Sequence, residues 1–327
     1  MRILSHNSAA PIPTTEKVCP VILSAAKNPK TLRVAQGDSV ENVSCCEYSS
    51  SILSARQLHG KELSYNNVAD ADMALNLIRE FNVPTAAVIK HQNPCGVGMS
   101  ETIHEAFTLA NEADPVSIFG GIVALNREVD EECAKLMQPI FLEIVLAPGF
   151  TDEALKILTK KKNLRLLEVK LMGYNDRHMM TSIEGGLMVQ STDTHSFDAS
   201  VLQIPTDLKP NAEQLKTVAF SWNVVKYVKS NAILVAKDGK TLGIGAGQTS
   251  RVGAAKIALE AAGEQAKGAV LASDAMLPMP DTVELAAKAG ISVIIQTGGS
   301  VKDKEVIEAC DKHGIAMIFT GVRHFRH

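Results

Sequence analysis

The chain has 327 residues, is 46% hydrophobic and carries a formal charge of -3, with 33 Lys and Arg against 36 Asp and Glu. That length can bury one or two sizeable cores, and the near-neutral balance excludes the broad basic field that nucleic acid requires, leaving small anions held by a few placed cations. No apolar run approaches the roughly 18 residues of a membrane span, and no leader-type apolar region with a small-residue cleavage site is present, so a cytoplasmic globular protein is expected.

Residues 1–55 are expected to form a poorly ordered extension. Val21–Ala25 and Ser51–Ala55 echo one another, Pro and Ser are frequent, and no apolar period is sustained. Of the six cysteines (Cys19, Cys45, Cys46, Cys95, Cys133, Cys310), none forms a C-x-x-C pair, which argues for reduced thiols. From Gln57 the punctuation becomes regular. Asn66 and Asn67 can cap a helix with the stripe Ala71, Ala74, Leu75, Ile78 and Phe81, and Pro84 leads into a strand at Ala86–Ile89. A helix opened by Ser100 follows, then an apolar run from Val116 to Leu125 broken by Gly120-Gly121, a short helix through Cys133 and a strand at Ile144–Leu146. Thr151 caps the next helix, Lys160–Lys162 suit its C-terminal dipole, and a strand runs from Leu164 to Val169.

Residues 171–210, with Gly185-Gly186 and a polar stretch, read as a connection. The second half, 211–327, then has a helix at Ala212–Val228 and strands at Ala232–Lys237 and Thr241–Gly245 joined by the Asp238-Gly239 turn. Helices at Ser250–Ala262, Thr282–Ala289 and Lys302–His313 alternate with strands at Ala269–Ala272, Ser292–Gln296 and Ala316–Phe319. The order α-β-β-α-β-α-β-α-β is that of a cytidine-deaminase-like α/β fold, and residues 56–170 read as a weaker copy. Two tandem subdomains are therefore expected, each a mostly parallel mixed sheet flanked by helices.

The segment Ile89-Lys90-His91-Gln92-Asn93-Pro94-Cys95-Gly96 places an ammonium beside an imidazole at a strand end. Imidazole can take a proton from a weak nucleophile near neutral pH, and an adjacent Lys supplies the cation that a developing oxyanion needs. A bland reading, in which the pair marks a strand reaching solvent, suits most Lys-His dipeptides.

Seven segments in order decide against it: Gly60–Asn67, Lys90–Gly96, Ile118–Gly121, Ala147–Gly149, Ser230–Ala232, Gly243–Arg251 and Arg323–His327. From about Gln57 onward the chain resembles the AICAR transformylase domain of the bifunctional purine-biosynthesis enzymes, which formylate 5-aminoimidazole-4-carboxamide ribonucleotide (AICAR) with 10-formyltetrahydrofolate. The resemblance implies that His91 assists deprotonation of the AICAR amine, that Lys90 stabilises the tetrahedral oxyanion or assists the leaving nitrogen, and that Asn231 positions the carboxamide. It further implies contacts to substrate from Asn67, Gly120, Glu143, Asp281 and His327, with Arg251 toward the folate and Arg323 toward the nucleotide, where a planar guanidinium suits carboxylate or phosphate. Gly243-x-Gly245-x-Gly247 would form a loop under the ligand. Family members are homodimers whose sites draw on both chains, and some hold a potassium ion that takes no part in the chemistry; no catalytic metal is implied. The assignment requires Lys90 and His91 to converge on the cleft shared by Asn231 and Arg323.

Two departures from the family pattern imply weak substrate binding with the chemical groups intact. The nucleotide-holding Arg-Tyr-Gly-x-Asn-Pro-His-Gln segment has no counterpart in residues 1–56, and the resemblance places no part of the cyclohydrolase domain in this chain. The aromatic run Phe-Phe-Pro-Phe is replaced by Met276-Leu277-Pro278-Met279. A dinucleotide-dependent oxidoreductase is disfavoured because Gln248 stands where G-x-G-x-x-G needs its third glycine, and a zinc deaminase because H-x-E and P-C-x-x-C are missing. The alternative that stays open is a catalytically weak remnant that only binds nucleotide or a partner subunit.

Overall fold

Ala86 to Ile89 are all apolar with no alternation, and the computed structural model shows why: the strand is covered on both faces, so every side chain meets a core. The structure describes residues 2–5, 50–171 and 178–327; most of the expected N-terminal extension lies outside them. The described residues fall into two units. The smaller contains β1 (Arg2–Ser5), β8 (His178–Ile183) and β9 (Gly186–Ser191). These form a three-stranded antiparallel sheet in the order β1-β9-β8, with Gly185 at φ 78° in the turn of the β8–β9 hairpin. The segment read as a plain connection thus contains a hairpin.

The larger unit, 50–171 with 196–327, holds β2 (Arg56–His59), α1 (Tyr65–Ile78), β3 (Thr85–Lys90), β4 (Asn93–Met99), α2 (Ile103–Ala113), β5 (Gly121–Leu125), α3 (Glu131–Met137), β6 (Leu142–Ala147), α4 (Asp152–Leu158) and β7 (Arg165–Glu168). It continues with α5 (Ala212–Val225), β10 (Ile233–Lys237), β11 (Lys240–Gly245), α6 (Arg251–Ala262), β12 (Val270–Ser273), α7 (Asp281–Ala289), β13 (Val293–Gln296), α8 (Asp303–His313) and β14 (Ala316–Phe319). Both halves carry the order α-β-β-α-β-α-β-α-β. They do not form two separate sheets. One sheet of eleven strands runs β14-β13-β12-β10-β11-β4-β3-β5-β6-β7-β2, closed at its centre by the antiparallel pair Lys240↔Gly98. Nor is either half mostly parallel, since β3 is antiparallel to both neighbours, as is β10.

On one face α1 and α5 pack against Ala87, Ile89, Leu234 and Ala272; on the other, α2–α4 and α6–α8 cover Ala86, Val88, Val235 and Leu271. The sequence hid β4, because Pro94 and two glycines, Gly96 and Gly98, read as a turn. The turn is two residues earlier, at His91-Gln92, and Lys90 pairs directly with Asn93. The glycines of β4 and β11 serve packing: a Cβ on Gly243 or Gly245 would lie 2.0 Å from the carbonyl oxygen of Ala258 or Ala254 in α6. Gly243 and Gly245 are therefore strand residues forming the floor on which a helix sits, and of the three glycines only Gly247 lies in a loop.

Local caps differ slightly from expectation. Ser64 caps α1, with Asn67 as the reciprocal partner of a capping box, and Thr102 rather than Ser100 caps α2, while Thr151 caps α4 as expected and Ser250, expected inside its helix, caps α6. Ser50–Ala55 belong to the compact unit, with Ile52 in its core. Residues 196–210 run along β14, where Gln203 and Phe319 exchange backbone hydrogen bonds of 2.9 and 2.8 Å and the Thr206 hydroxyl accepts from Met317 N at 2.9 Å.

Candidate active site at one edge of the sheet

The strand register carries the expected site residues to a single edge. β3 ends there at Lys90; β5 and β6 begin there, so Gly120 and Glu143 lie beside it. Asp70, one turn beyond Asn67 in α1, reaches the same loop. Across the central seam β11 ends and β10 begins at this edge, next to Asn231. β12, β13 and β14 all finish here, which brings up Asp274 and Asp281, Gly298, and finally Arg323 and His327.

Within that edge the residues form two groups. In the first, Lys90 Nζ donates to the carbonyl of Phe119 at 2.7 Å, and Gly120, at φ 74°, donates its N–H to Phe141 O at 2.7 Å. Phe119 and Phe141 are both exposed and pack at a tilt with centroids 5.1 Å apart. The His91 imidazole faces solvent. Glu143 is held by Arg165, Nη1 to Oε2 at 2.6 Å, and is not a free surface carboxylate. Asn67 Oδ1 is occupied by the Ser64 N–H.

The second group surrounds a cavity of about 700 Å³ lined by Asn231, Arg251, Asp281 and Arg323 together with Met276 and Thr297–Gly299. Arg251 does not project a free guanidinium into it. The side chain is buried: Nη1 bonds the Asp274 carboxylate and Ser273 Oγ (2.9 Å), and Nη2 donates to Asn231 Oδ1 at 2.7 Å. Asn231 Nδ2 in turn donates to Gln248 O at 2.9 Å, so its amide orientation is fixed from both ends. Asp274 also accepts from Ser230 Oγ (2.6 Å) and Ala232 N (3.1 Å), and its carbonyl accepts from His324 N (2.9 Å). The Asp274 carboxylate thereby anchors the Asn231 segment and the start of α6, and its main-chain carbonyl anchors the C-terminal tail. Ser230 and Arg326 complete the tie through their backbones, and burial holds the Arg326 guanidinium below its usual pKa. Arg323 and His327 are exposed, the former over the Phe325 ring at 4.5 Å and the latter against its edge.

The expected convergence is not met within one chain. Neither Lys90 nor His91 lines the cavity, and β3 and β10 are three strand spacings apart in the sheet, roughly 14 Å. What links the groups is Asn93, whose Oδ1 accepts from Lys229 N at 3.1 Å. Residues that the sequence reading passed over include Asp70, Arg165, Asp274 as an anchor, and the Thr297-Gly298-Gly299 wall; the last had a legible signal in two adjacent glycines after a strand.

The AICARFT/IMPCHase bienzyme family profile matches residues 35–261, a span that starts ahead of Gln57. Over 278 residues the chain is 60% identical to the bifunctional purine biosynthesis protein PurH of Halalkalibacterium halodurans, covering 85% of this chain and 54% of that protein. The chain belongs to the AICARFT/IMPCHase family. The PurH proteins of Anoxybacillus flavithermus and Bacillus thuringiensis strain Al Hakam are 59% and 57% identical, with 85% of this chain covered in each case and 54% and 55% of theirs. The chain thus spans about half the length of these curated relatives. Among solved structures, Acinetobacter baumannii RibD (form 2) is 20% identical over 32% of this chain and 34% of its own, at a TM-score of 0.24, too slight a likeness to carry an argument. Among the described residues no helix is long and apolar enough to cross a membrane.

Proposed function

We propose that the chain transfers a formyl group from 10-formyltetrahydrofolate to the 5-amino group of AICAR, in the cytoplasm and as a homodimer. The observation that carries this reading is the coincidence, on one sheet edge, of the Lys90–His91 turn with a cavity walled by Asn231, Asp281 and Arg323, in a chain of this family. His91 takes the proton from the weakly nucleophilic amine as it attacks the formyl carbon. Lys90 stabilises the resulting oxyanion, or assists the folate nitrogen as it leaves. Asn231 aligns the carboxamide, and Arg323 and His327 hold the nucleotide anion from the tail. Because the turn and the cavity are separate in one chain, the complete site takes its Lys-His pair from one protomer and its cavity from the other. The matching element order of the two halves supports the finer reading of each as a cytidine-deaminase-like unit.

The test is formyl transfer by the purified protein, beside Lys90→Ala and His91→Ala. Each variant is expected to lose about 10²- to 10⁴-fold in rate. Mixing a Lys90→Ala/His91→Ala chain with an Asn231→Ala/Arg323→Ala chain is expected to restore activity at one site of the mixed dimer. Transfer that survives both single substitutions would refute the assignment. A second reading, a remnant that binds nucleotide without transferring, is favoured by Met276 and Met279, both more than 40% exposed where the family has aromatic rings; it predicts AICAR binding with no transfer in any of these samples.

A further inference from the structure

Neither residue of the loop between β3 and β4 is suited to its conformation. His91 and Gln92 have φ of 53° and 57°, and a two-residue hairpin with positive φ at both positions is the arrangement for which Asn-Gly is preferred, since glycine enters it without steric cost. Side chains with a Cβ adopt that region uncommonly, and such conformations persist only where the surroundings over-determine them.

The stabilising contact comes from α1. Asp70 Oδ2 accepts from His91 N at 3.1 Å and Oδ1 accepts from Gln92 N at 2.8 Å, so one carboxylate caps both N–H groups of the loop with charge-assisted bonds. The helix does not need this carboxylate. Its N-terminus is closed by Ser64 and Asn67, its buried stripe begins at Ala71, and Asp70 itself is only half-buried. Lys90 does not need it either, being tied to Phe119 O. What Asp70 fixes is the path of the backbone through His91, and hence the direction in which the imidazole leaves it.

We propose that Asp70 is a positioning residue for His91, holding the left-handed loop so that imidazole and ammonium are presented in one geometry. The proposal rests on the formyl-transfer reading above. A misplacement of about 1 Å can cost on the order of a hundred-fold in rate without weakening ground-state binding. Asp70→Ala is therefore expected to lower kcat about ten- to a hundred-fold, with the KM for AICAR within about two-fold of wild type.

A rescue separates this role from a merely structural one. Gln92→Gly removes one of the two unfavourable side chains and makes the loop less dependent on its cap, so Asp70→Ala/Gln92→Gly is expected to regain most of the lost kcat, while Gln92→Gly alone stays near wild type. A kcat for Asp70→Ala within two-fold of wild type, a loss that falls on KM, or no recovery in the double variant would each overturn the proposal. If the wild-type protein transfers no formyl group, the functional reading fails first, and amide hydrogen exchange then decides on the loop. Faster exchange of the His91 and Gln92 amides in Asp70→Ala supports the cap, and unchanged exchange overturns it.

Discussion

Replacing Arg251 with Met tests whether the second group of site residues is built around a buried ion pair. The side chains of Arg251 and Asp274 are 7% and 0% exposed. The substitution leaves the Asp274 carboxylate enclosed with only Ser230 Oγ and Ala232 N as donors, and strips Asn231 Oδ1 of its 2.7 Å guanidinium bond. Breaking a buried pair by removing one partner typically costs about 3–5 kcal/mol, a large part of the roughly 5–15 kcal/mol that holds a domain together. Urea denaturation followed by Trp222 fluorescence is a suitable assay: the indole is buried and packs at a tilt against the His324 ring, centroids 4.6 Å apart, and His324 N bonds the Asp274 carbonyl. Asp274→Asn alone should also destabilise, by leaving the guanidinium without its counter-charge. Combined with Arg251→Met it should recover at least about 1 kcal/mol relative to the sum of the single losses, because neither charge is then stranded. An Arg251→Met loss below about 1 kcal/mol, or strictly additive losses, would refute the buried-pair argument. The expectation from resemblance, that Arg251 faces the folate, predicts the opposite pattern: stability unchanged and folate affinity lost.

Other consequences can be checked more briefly. Gly245→Ala drives a Cβ to 2.0 Å from Ala254 O, so α6 must lift off β11, and thermal unfolding should show a loss of about 1–3 kcal/mol or more. Burial pushes the Cys310 thiol up to about 12 from 9.0. Its contribution is fully present below pH 9 and is lost as pH rises toward 12, because only the unfolded chain releases the proton in that window; between pH 10 and 11 the stability from urea titrations should fall by about 1.3 kcal/mol more for wild type than for Cys310→Ala. Met276→Phe should lower the KM for one substrate about two- to ten-fold by restoring a ring contact worth about 0.5–1.5 kcal/mol, whereas an unchanged KM would mean that Met276 does not touch ligand. Because Lys226 and Glu80 form a buried pair between α5 and α1, and the sheet is continuous, the larger unit should unfold in one calorimetric transition rather than as two halves.

Helix and strand identities were legible wherever both faces of a strand were covered, because continuous apolar runs bounded by caps and by Gly or Pro leave little choice. β4 was not, since Pro94 with Gly96 and Gly98 gives a turn composition to a strand whose glycines exist to admit α2 closely. The joining of the halves into one sheet could not be read either: it rests on the pairing of β4 with β11, a contact between residues some 140 positions apart that leaves no local pattern. For the site, the Lys-His pair stood out in the sequence as a candidate, while Asp70 and Asp274 were invisible as anchors, because an Asp in a helix or after a strand looks the same whether it faces water or holds backbone N–H groups.

The palindromic strand order explains why such different devices meet at one edge. Relating the halves across the β4–β11 seam exchanges β3 with β10, and antiparallel pairing at the seam means that the end of one hairpin's inner strand lies beside the start of the other's. The edge therefore receives a tight loop from the first half and the open ends of β12 to β14 from the second. A tight loop suits groups that must be held rigidly, and His91 and Gln92 are held there against their conformational preference. Open strand ends followed by helix starts leave room for a cavity, and the buried Asp274 shows how that room is kept from collapsing: it fixes the cavity's rim from three separate segments at once. The contrast between a rigid turn and a roomy cavity wall follows from the topology, before any ligand is considered.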